Sequence, residues 1–417
     1  MKQANRRGGQ GAELQNTIET APPRRTIAWA SVLAATLIGL PLGSIYAFSV
    51  FLTPLELLLN AKRSELSLVF GLSTVCYTVG AIMTPAFFGR VPAPLLILIA
   101  GLIGGSGMAL ASQATQAIEM AIGYGGLFGI GSGIAFCSMV QCVNLLVQRN
   151  RGLVNGYLIS LFPLGAMLAA PLSEWGIGAI GVRETLMATG ATLAGTALIG
   201  AGLIAFSGVR LADAAPKGPG NRFVLTQRTS FWKLFFTFFL AAAAGLTMLS
   251  QAAGIVKAYG GTTTVAVAAT TAITTAIAAA RITGGFLVDR FPIPFVAVGA
   301  QLLALTGAVL LTVYPSVAMC VAGILMIGIG YGLVSGVMAG SIAAYWEAAA
   351  YGRISSRMYA AWCVAAISLP VVAARLFDMT GGYHYAIMLA GGCNLLALMV
   401  GSQLPRRAKA TATPVAS

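Results

Sequence analysis

Apolar residues run along this chain in blocks of about 20 to 25, the length that crosses a hydrocarbon layer as one helix, separated by short segments rich in Arg, Pro and Gly. The blocks at 27–51, 65–88, 94–113, 117–143, 152–173, 183–207, 231–258, 264–288, 293–314, 316–340, 355–376 and 383–404 predict twelve transmembrane helices. A membrane β-barrel would show short strands of alternating polarity, and no such alternation recurs here. The fold class is therefore all-α and membrane-spanning.

Composition agrees. Of 417 residues 58% are hydrophobic and 9% charged, whereas about a quarter of a soluble domain is charged. The 51 glycines follow no three-residue period, which excludes a collagen-like chain. Lys2, Arg6 and Arg7 precede a polar stretch to Pro23 and then an apolar block too long for a signal peptide, so the first helix is expected to be retained behind a basic tail.

The net charge of +14 is distributed unevenly. With the twelve spans set as above, nineteen of the 25 Lys and Arg residues fall in tails, loops and span ends on one side. Five (Lys62, Arg63, Arg183, Lys257 and Arg375) fall in loops and span ends on the other, and Arg281 lies deep inside a span. The positive-inside rule then puts both termini in the cytoplasm. Topology and anionic lipid heads explain the charge without a nucleic-acid partner. One histidine, His384, and six cysteines dispersed in apolar runs (Cys76, Cys137, Cys142, Cys320, Cys363 and Cys393) supply no metal site, and no cofactor is expected.

The chain repeats itself. Arg90-Val91-Pro92-Ala93-Pro94 recurs as Arg290-Phe291-Pro292-Ile293-Pro294; GIGSGIAFCSMV at 129–140 recurs as GIGYGLVSGVMA at 328–339; Arg151 with Tyr157 recurs as Arg353 with Tyr359. A near-constant offset implies a duplicated six-helix unit. The expected organisation is a tail (1–26), a first half (27–207), a polar linker (208–230), a second half (231–404) and a tail (405–417). Two parallel six-helix halves related by a pseudo-twofold axis are the pattern of the major facilitator fold. That superfamily carries Gly-x-x-x-Asp-Arg at the turn after its second and eighth helices, here legible as Gly285 to Asp289-Arg290, while Gly89 replaces the Asp in the first copy. Asp289, Arg290 and Arg90 are accordingly candidate gate residues. Glycines at 129, 131 and 133, and at 328, 330 and 332, permit close helix packing and also suit surfaces that rock.

Arg281 stands out. It sits about 12 Å inside the eighth span at 1.5 Å per residue, where a charge costs about 2.5–3.5 kcal/mol on insertion scales. Every acidic residue lies in a loop or at a helix end, and Ile277 one turn earlier is apolar. A guanidinium at mid-depth, without a protein anion, matches a substrate carboxylate, which it can hold through two parallel hydrogen bonds. Tyr46 and Ser49, Ser250 and Gln251, Tyr331 and Ser335, and Trp362 fall near the middle of other spans and suggest a small cavity with hydroxyl donors and aromatic walls.

GSIYAFSVF at 43–51, RGLVNGY at 151–157, RTSFW at 228–232 and the segment from Arg281 to Asp289-Arg290 resemble the oxalate–formate antiporter family, a bacterial branch beside the monocarboxylate porters. The resemblance implies substrate-carboxylate binding by Arg281, with Tyr46, Tyr331 and Trp362 in the same site. The oxalate carrier has a lysine three residues after its Trp; Ala365 stands there, and Phe136 and Phe162 replace two of its tyrosines. One cation in place of two disfavours a small dianion, and Ile277 stands where proton-coupled monocarboxylate porters carry Asp. The expectation is a monomeric secondary transporter of a lactate- or pyruvate-like monocarboxylate in a bacterial inner membrane, touching lipid and a small organic anion. Dicarboxylate antiport and drug efflux are the alternatives. An enzyme would want clustered acid, base or metal-ligand groups, which the chain lacks.

Overall fold

A computed structural model describes residues 24–211, 225–313 and 316–406. The tail expected at 1–26 and the tail at 405–417 lie almost wholly outside these residues, as does most of the linker expected at 208–230.

Among the described residues, twelve helices have the length and apolar character to cross a membrane. They are α1 (Thr26–Leu59), α2 (Glu65–Phe87), α3 (Ala93–Ser112), α4 (Ala117–Leu146), α5 (Arg151–Ala179) and α6 (Val182–Ser207), followed by α7 (Arg228–Ala258), α8 (Thr263–Arg290), α9 (Ile293–Val313), α10 (Val317–Tyr345), α11 (Ala348–Phe377) and α12 (His384–Gly401). Each matches an expected span. The differences lie at the ends. α1 runs on to Leu59, and α11 starts seven residues before the expected 355, because Glu347, Arg353 and Arg357 read as loop residues although the helix begins among them.

Helices α3, α6, α9 and α12 form the outside of the bundle. Leu198, Ile199 and Phe206 on α6, Phe295, Leu302 and Val309 on α9, and Leu395, Leu396 and Met399 on α12 are all exposed, as lipid-facing side chains are. Within the first six helices Gly101 and Gly105 of α3 meet Ala197 and Gly190 of α6. The Gly129, Gly131 and Gly133 set packs on Ser73 and Tyr77 of α2 and Ala100 of α3. Gly328, Gly330 and Gly332 pack likewise on α8 and α9. Both sets thus seal neighbours inside one group of six, so the idea that they form the rocking surface is corrected.

The surface between the two groups of six is centred on α5 and α8, through glycines that were not singled out. A Cβ at Gly156 would come within 2.5 Å of the Arg281 carbonyl oxygen, and one at Gly285 within 2.1 Å of the Gly152 carbonyl oxygen. Ser160 of α5 reaches across to the Ala278 carbonyl of α8 at 2.9 Å. Contacts between the groups also run from α2 and α4 to α11: Tyr77 faces Tyr359 and Trp362, and the Cys137 thiol faces the Gly352 carbonyl.

Short 3-10 turns end α2 at Thr84–Phe87 and begin α11 at Ala348–Ala350, and two longer stretches depart from α-helical winding. Gly43–Phe51 of α1 tightens to 3-10 geometry, and Ala121–Phe128 of α4 widens to π geometry. Such stretches usually attend functional sites. Here they touch: Tyr124 donates to the Ile45 carbonyl at 3.3 Å, and its ring lies 4.5 Å from that of Phe48.

Candidate functional site

Twelve side chains from seven helices enclose a cavity of about 20 Å³, room for about one water molecule. α1 contributes Ile45 and Tyr46, α2 Tyr77, and α5 Ile159 and Phe162. α7 gives Phe238, α8 Arg281, α10 Tyr331, Ser335 and Met338, and α11 Tyr359 and Trp362. Both groups of six therefore build its wall.

Arg281 is its charged member and is only 8% exposed. Its Nη1 donates to the Ile159 carbonyl of α5 at 2.8 Å, and its Nη2 to the Tyr331 hydroxyl at 3.1 Å. Its Nε is buried without an acceptor. Among the described residues no carboxylate bonds to the guanidinium. Two glycines let these groups converge. A Cβ at Gly336 would lie 2.2 Å from the Arg281 carbonyl oxygen, and a Cβ at Gly245 would strike the Tyr331 side chain at 2.4 Å. The walls are aromatic: Tyr46 lies edge-on to Phe162 and Trp362 at 6.2 and 6.0 Å, and Tyr77 edge-on to Phe162 and Tyr359 at 5.7 and 6.2 Å.

Of the eight cavity residues expected from sequence, Arg281, Tyr46, Tyr331, Ser335 and Trp362 line the cavity. Ser335 turns its hydroxyl back to the Tyr331 carbonyl at 2.9 Å. Gln251 does not belong. The α7 residue at cavity depth is Phe238, and Gln251 lies thirteen positions further on, about 20 Å along the helix axis. Ser49 and Ser250 are exposed and also outside the lining. Sequence reasoning missed Tyr77 and Tyr359, whose hydroxyls have no protein partner among the described residues. Phe162, seen only as a replaced tyrosine, is a wall.

At the end of the bundle that carries α1's start and α12's finish, one of the three residues expected as a gate bonds between helices. Asp289 of α8 accepts from the Gly152 and Leu153 amides of α5 at 3.0 and 2.9 Å. These are orphan amides of a helix start, and Asn150, in a left-handed conformation at φ +51°, makes no side-chain cap there. Arg151 donates to the Ala343 carbonyl of α10 at 3.2 Å. Arg290 and Arg90 take no part. Arg290 stacks over Phe286 at 3.8 Å, and Arg90, exposed, donates to the Ala86 carbonyl of its own turn.

The missing first-copy Asp also has a structural reason. Gly89 sits at φ +79°, a left-handed conformation that favours glycine. Gln141 of α4 covers the start of α11 instead, accepting from the Gly352 amide at 2.6 Å and donating to the Ala348 carbonyl at 3.0 Å.

Comparison with known proteins bears on this architecture. No protein-family model matches the chain. A proton:xylose symporter of the major facilitator superfamily superposes with a TM-score of 0.72 at 14% identity, covering 92% of this chain and 97% of that one. Bovine monocarboxylate transporter 13 is 25% identical over 400 residues, 92% of this chain and 91% of its own length.

The chain has the fold of the major facilitator superfamily.

A further relative, an uncharacterised transporter of the same type from Escherichia coli K12, is 21% identical over 295 residues, 69% of this chain and 72% of its own. No group of three His, Cys, Asp or Glu residues able to hold a metal ion is found among the described residues.

Proposed function

We propose that this transporter carries a small monocarboxylate with a short apolar tail, bound through its carboxylate to Arg281 in the cavity between two six-helix halves, 27–207 and 231–404. The observation that carries the reading is a buried guanidinium with no carboxylate partner among the described residues and an unpaired Nε, facing tyrosine hydroxyls and aromatic walls. A carboxylate supplies the missing charge and acceptors. Ile45, Phe162, Met338 and Trp362 offer an apolar surface to its tail. The relative named as a monocarboxylate transporter supports the same substrate class.

Ala365, where the oxalate carrier has its lysine, leaves a second carboxylate without a cation. A cationic drug would meet the field of Arg281. Dicarboxylate antiport and drug efflux are therefore the weaker readings.

The cavity is too small for lactate or pyruvate as it stands, so admission requires the halves to part. The positive-inside distribution supports cytoplasmic termini; with the protein in a bacterial inner membrane, this conformation is then the one closed toward the cytoplasm. The halves would rock about the carboxylate, with Asp289 and Gln141 releasing α5 and α11 as the cytoplasmic side opens. The protein is proposed to work as a monomer.

Purified protein in liposomes is expected to take up radiolabelled pyruvate or lactate, and Arg281→Ala to insert normally but lose uptake. Wild-type rates in that variant would sink the proposal.

A further inference from the structure

Arg281 reaches across the interface to a particular kind of acceptor. Inside an α-helix the Ile159 carbonyl would accept the N–H of residue 163. That residue is Pro163, which sits within α5 and has no N–H to give. The helix therefore leaves one backbone carbonyl free in the wall of the cavity, and it is the carbonyl that receives Arg281 Nη1 at 2.8 Å. The neighbouring contacts fix the register. Gly156, one turn earlier, lets α5 lie against the Arg281 backbone, and Ser160 reaches the Ala278 carbonyl. Ile159 and Pro163 are both buried, so no bulk water competes for that carbonyl.

We propose that Pro163 is a positioning residue for substrate binding: by withholding its N–H it frees the Ile159 carbonyl to orient the Arg281 guanidinium. The inference rests on the reading of Arg281 as the carboxylate ligand. With Nη1 held by the carbonyl and Nη2 by Tyr331, the guanidinium plane is fixed at two points, and its remaining N–H groups have a defined direction. An alanine at 163 restores the helical donor, which draws the Ile159 carbonyl back into the α5 ladder and loosens one of the two points.

The test uses the full-length transporter in liposomes with [14C]pyruvate, comparing wild type, Pro163→Ala, and a form with lactic acid incorporated at position 163 in place of proline. The lactic acid residue forms a backbone ester, which lacks the N–H as proline does and also lacks the ring. Pro163→Ala is expected to raise KM about tenfold with kcat within about twofold, the loss of a hydrogen bond from a charged group. The ester form is expected to keep the wild-type KM. An ester form that behaves like Pro163→Ala assigns the effect to the proline ring and overturns the proposal, as does an unchanged KM in Pro163→Ala.

A measurement independent of cargo accompanies it: the dipolar coupling between Ile159 13C′ and Arg281 15Nη in solid-state NMR of the same samples. It is expected in wild type and the ester form and weakened in Pro163→Ala. Its absence from wild type, or its survival at full strength in Pro163→Ala, overturns the positioning role even if the wild-type protein moves no pyruvate. A wild-type protein that shows the coupling but transports no monocarboxylate overturns the functional reading alone.

Discussion

A guanidinium has five N–H donors, and Arg281 commits two of them, one to the Ile159 carbonyl and one to the Tyr331 hydroxyl. The Tyr331 hydroxyl that accepts from Nη2 keeps its own proton for an acceptor in the cavity. Tyr331→Phe removes both functions while leaving the ring packed on Gly245. An unsatisfied buried donor costs about 1–3 kcal/mol, so this variant is expected to fold, to insert, and to show an at least tenfold higher KM for pyruvate in liposome uptake. An unchanged KM would mean that the hydroxyl is a bystander. Arg281, Tyr46, Tyr331, Ser335 and Trp362 were legible because depth along a helix can be counted from its ends. The same counting finds Tyr77, which lies at the centre of its span, though it was passed over. Tyr359 was hidden by a misjudged boundary: counted from residue 355 it lies near an end, whereas α11 begins at Ala348 and carries it eleven residues deep. Gln251 failed for the converse reason, since a position within its own span does not fix depth relative to another helix.

Helix positions set which of these side chains meet, and here glycine and the irregular stretches matter more than propensity. Along the α5–α8 interface the backbones touch at Gly156, where a Cβ would come within 2.5 Å of a carbonyl oxygen that belongs to a rigid helix and cannot yield. Overpacking of this kind costs about 1–3 kcal/mol. Gly156→Val is expected to lower Tm and to cut transport at least tenfold, because it displaces Arg281 from α5. Gly195→Val, on lipid-facing α6 with nothing within 4 Å of its Cβ, is the control and is expected to change neither. A milder test concerns the 3-10 stretch of α1 that carries Tyr46. Tyr124→Phe deletes a single neutral hydrogen bond to the Ile45 carbonyl, worth about 0.5–1.5 kcal/mol. A severalfold rise in KM, with Tm nearly unchanged, is the expected result; no change in either would show that this bond does not hold Tyr46. None of this was legible in the sequence. Periodicity and composition reveal that a segment crosses the membrane, but not that its winding tightens or widens, nor which carbonyl of a neighbour it faces.

At the scale of the whole molecule the twelve spans and their order were readable, because apolar blocks are one-dimensional signals. The closure at the terminal end was only half readable. The two halves approach it with different chemistry: Asp289 brings a carboxylate to the positive end of α5, and Gln141 brings a neutral amide to the start of α11. An anion at a helix N-terminus is worth about 0.3–1 kcal/mol at exposed sites and up to ~2 kcal/mol when partly buried, so Asp289 should weigh more than Gln141 in holding this end shut. Spin labels at Arg149 and Glu347, both exposed at the terminal end, and at Asn60 and Lys257, both exposed at the opposite end, read the two openings separately. Asp289→Ala is expected to broaden the Arg149–Glu347 distance distribution toward longer values and to shorten Asn60–Lys257. Gln141→Ala is expected to do the same to a smaller extent, and the double variant more than either. Since about 1.4 kcal/mol shifts a two-state ratio tenfold, even the single carboxylate should move a measurable fraction. Distances that lengthen at both ends together would mean that the halves loosen rather than rock, and would remove the basis for assigning Asp289 to a gate.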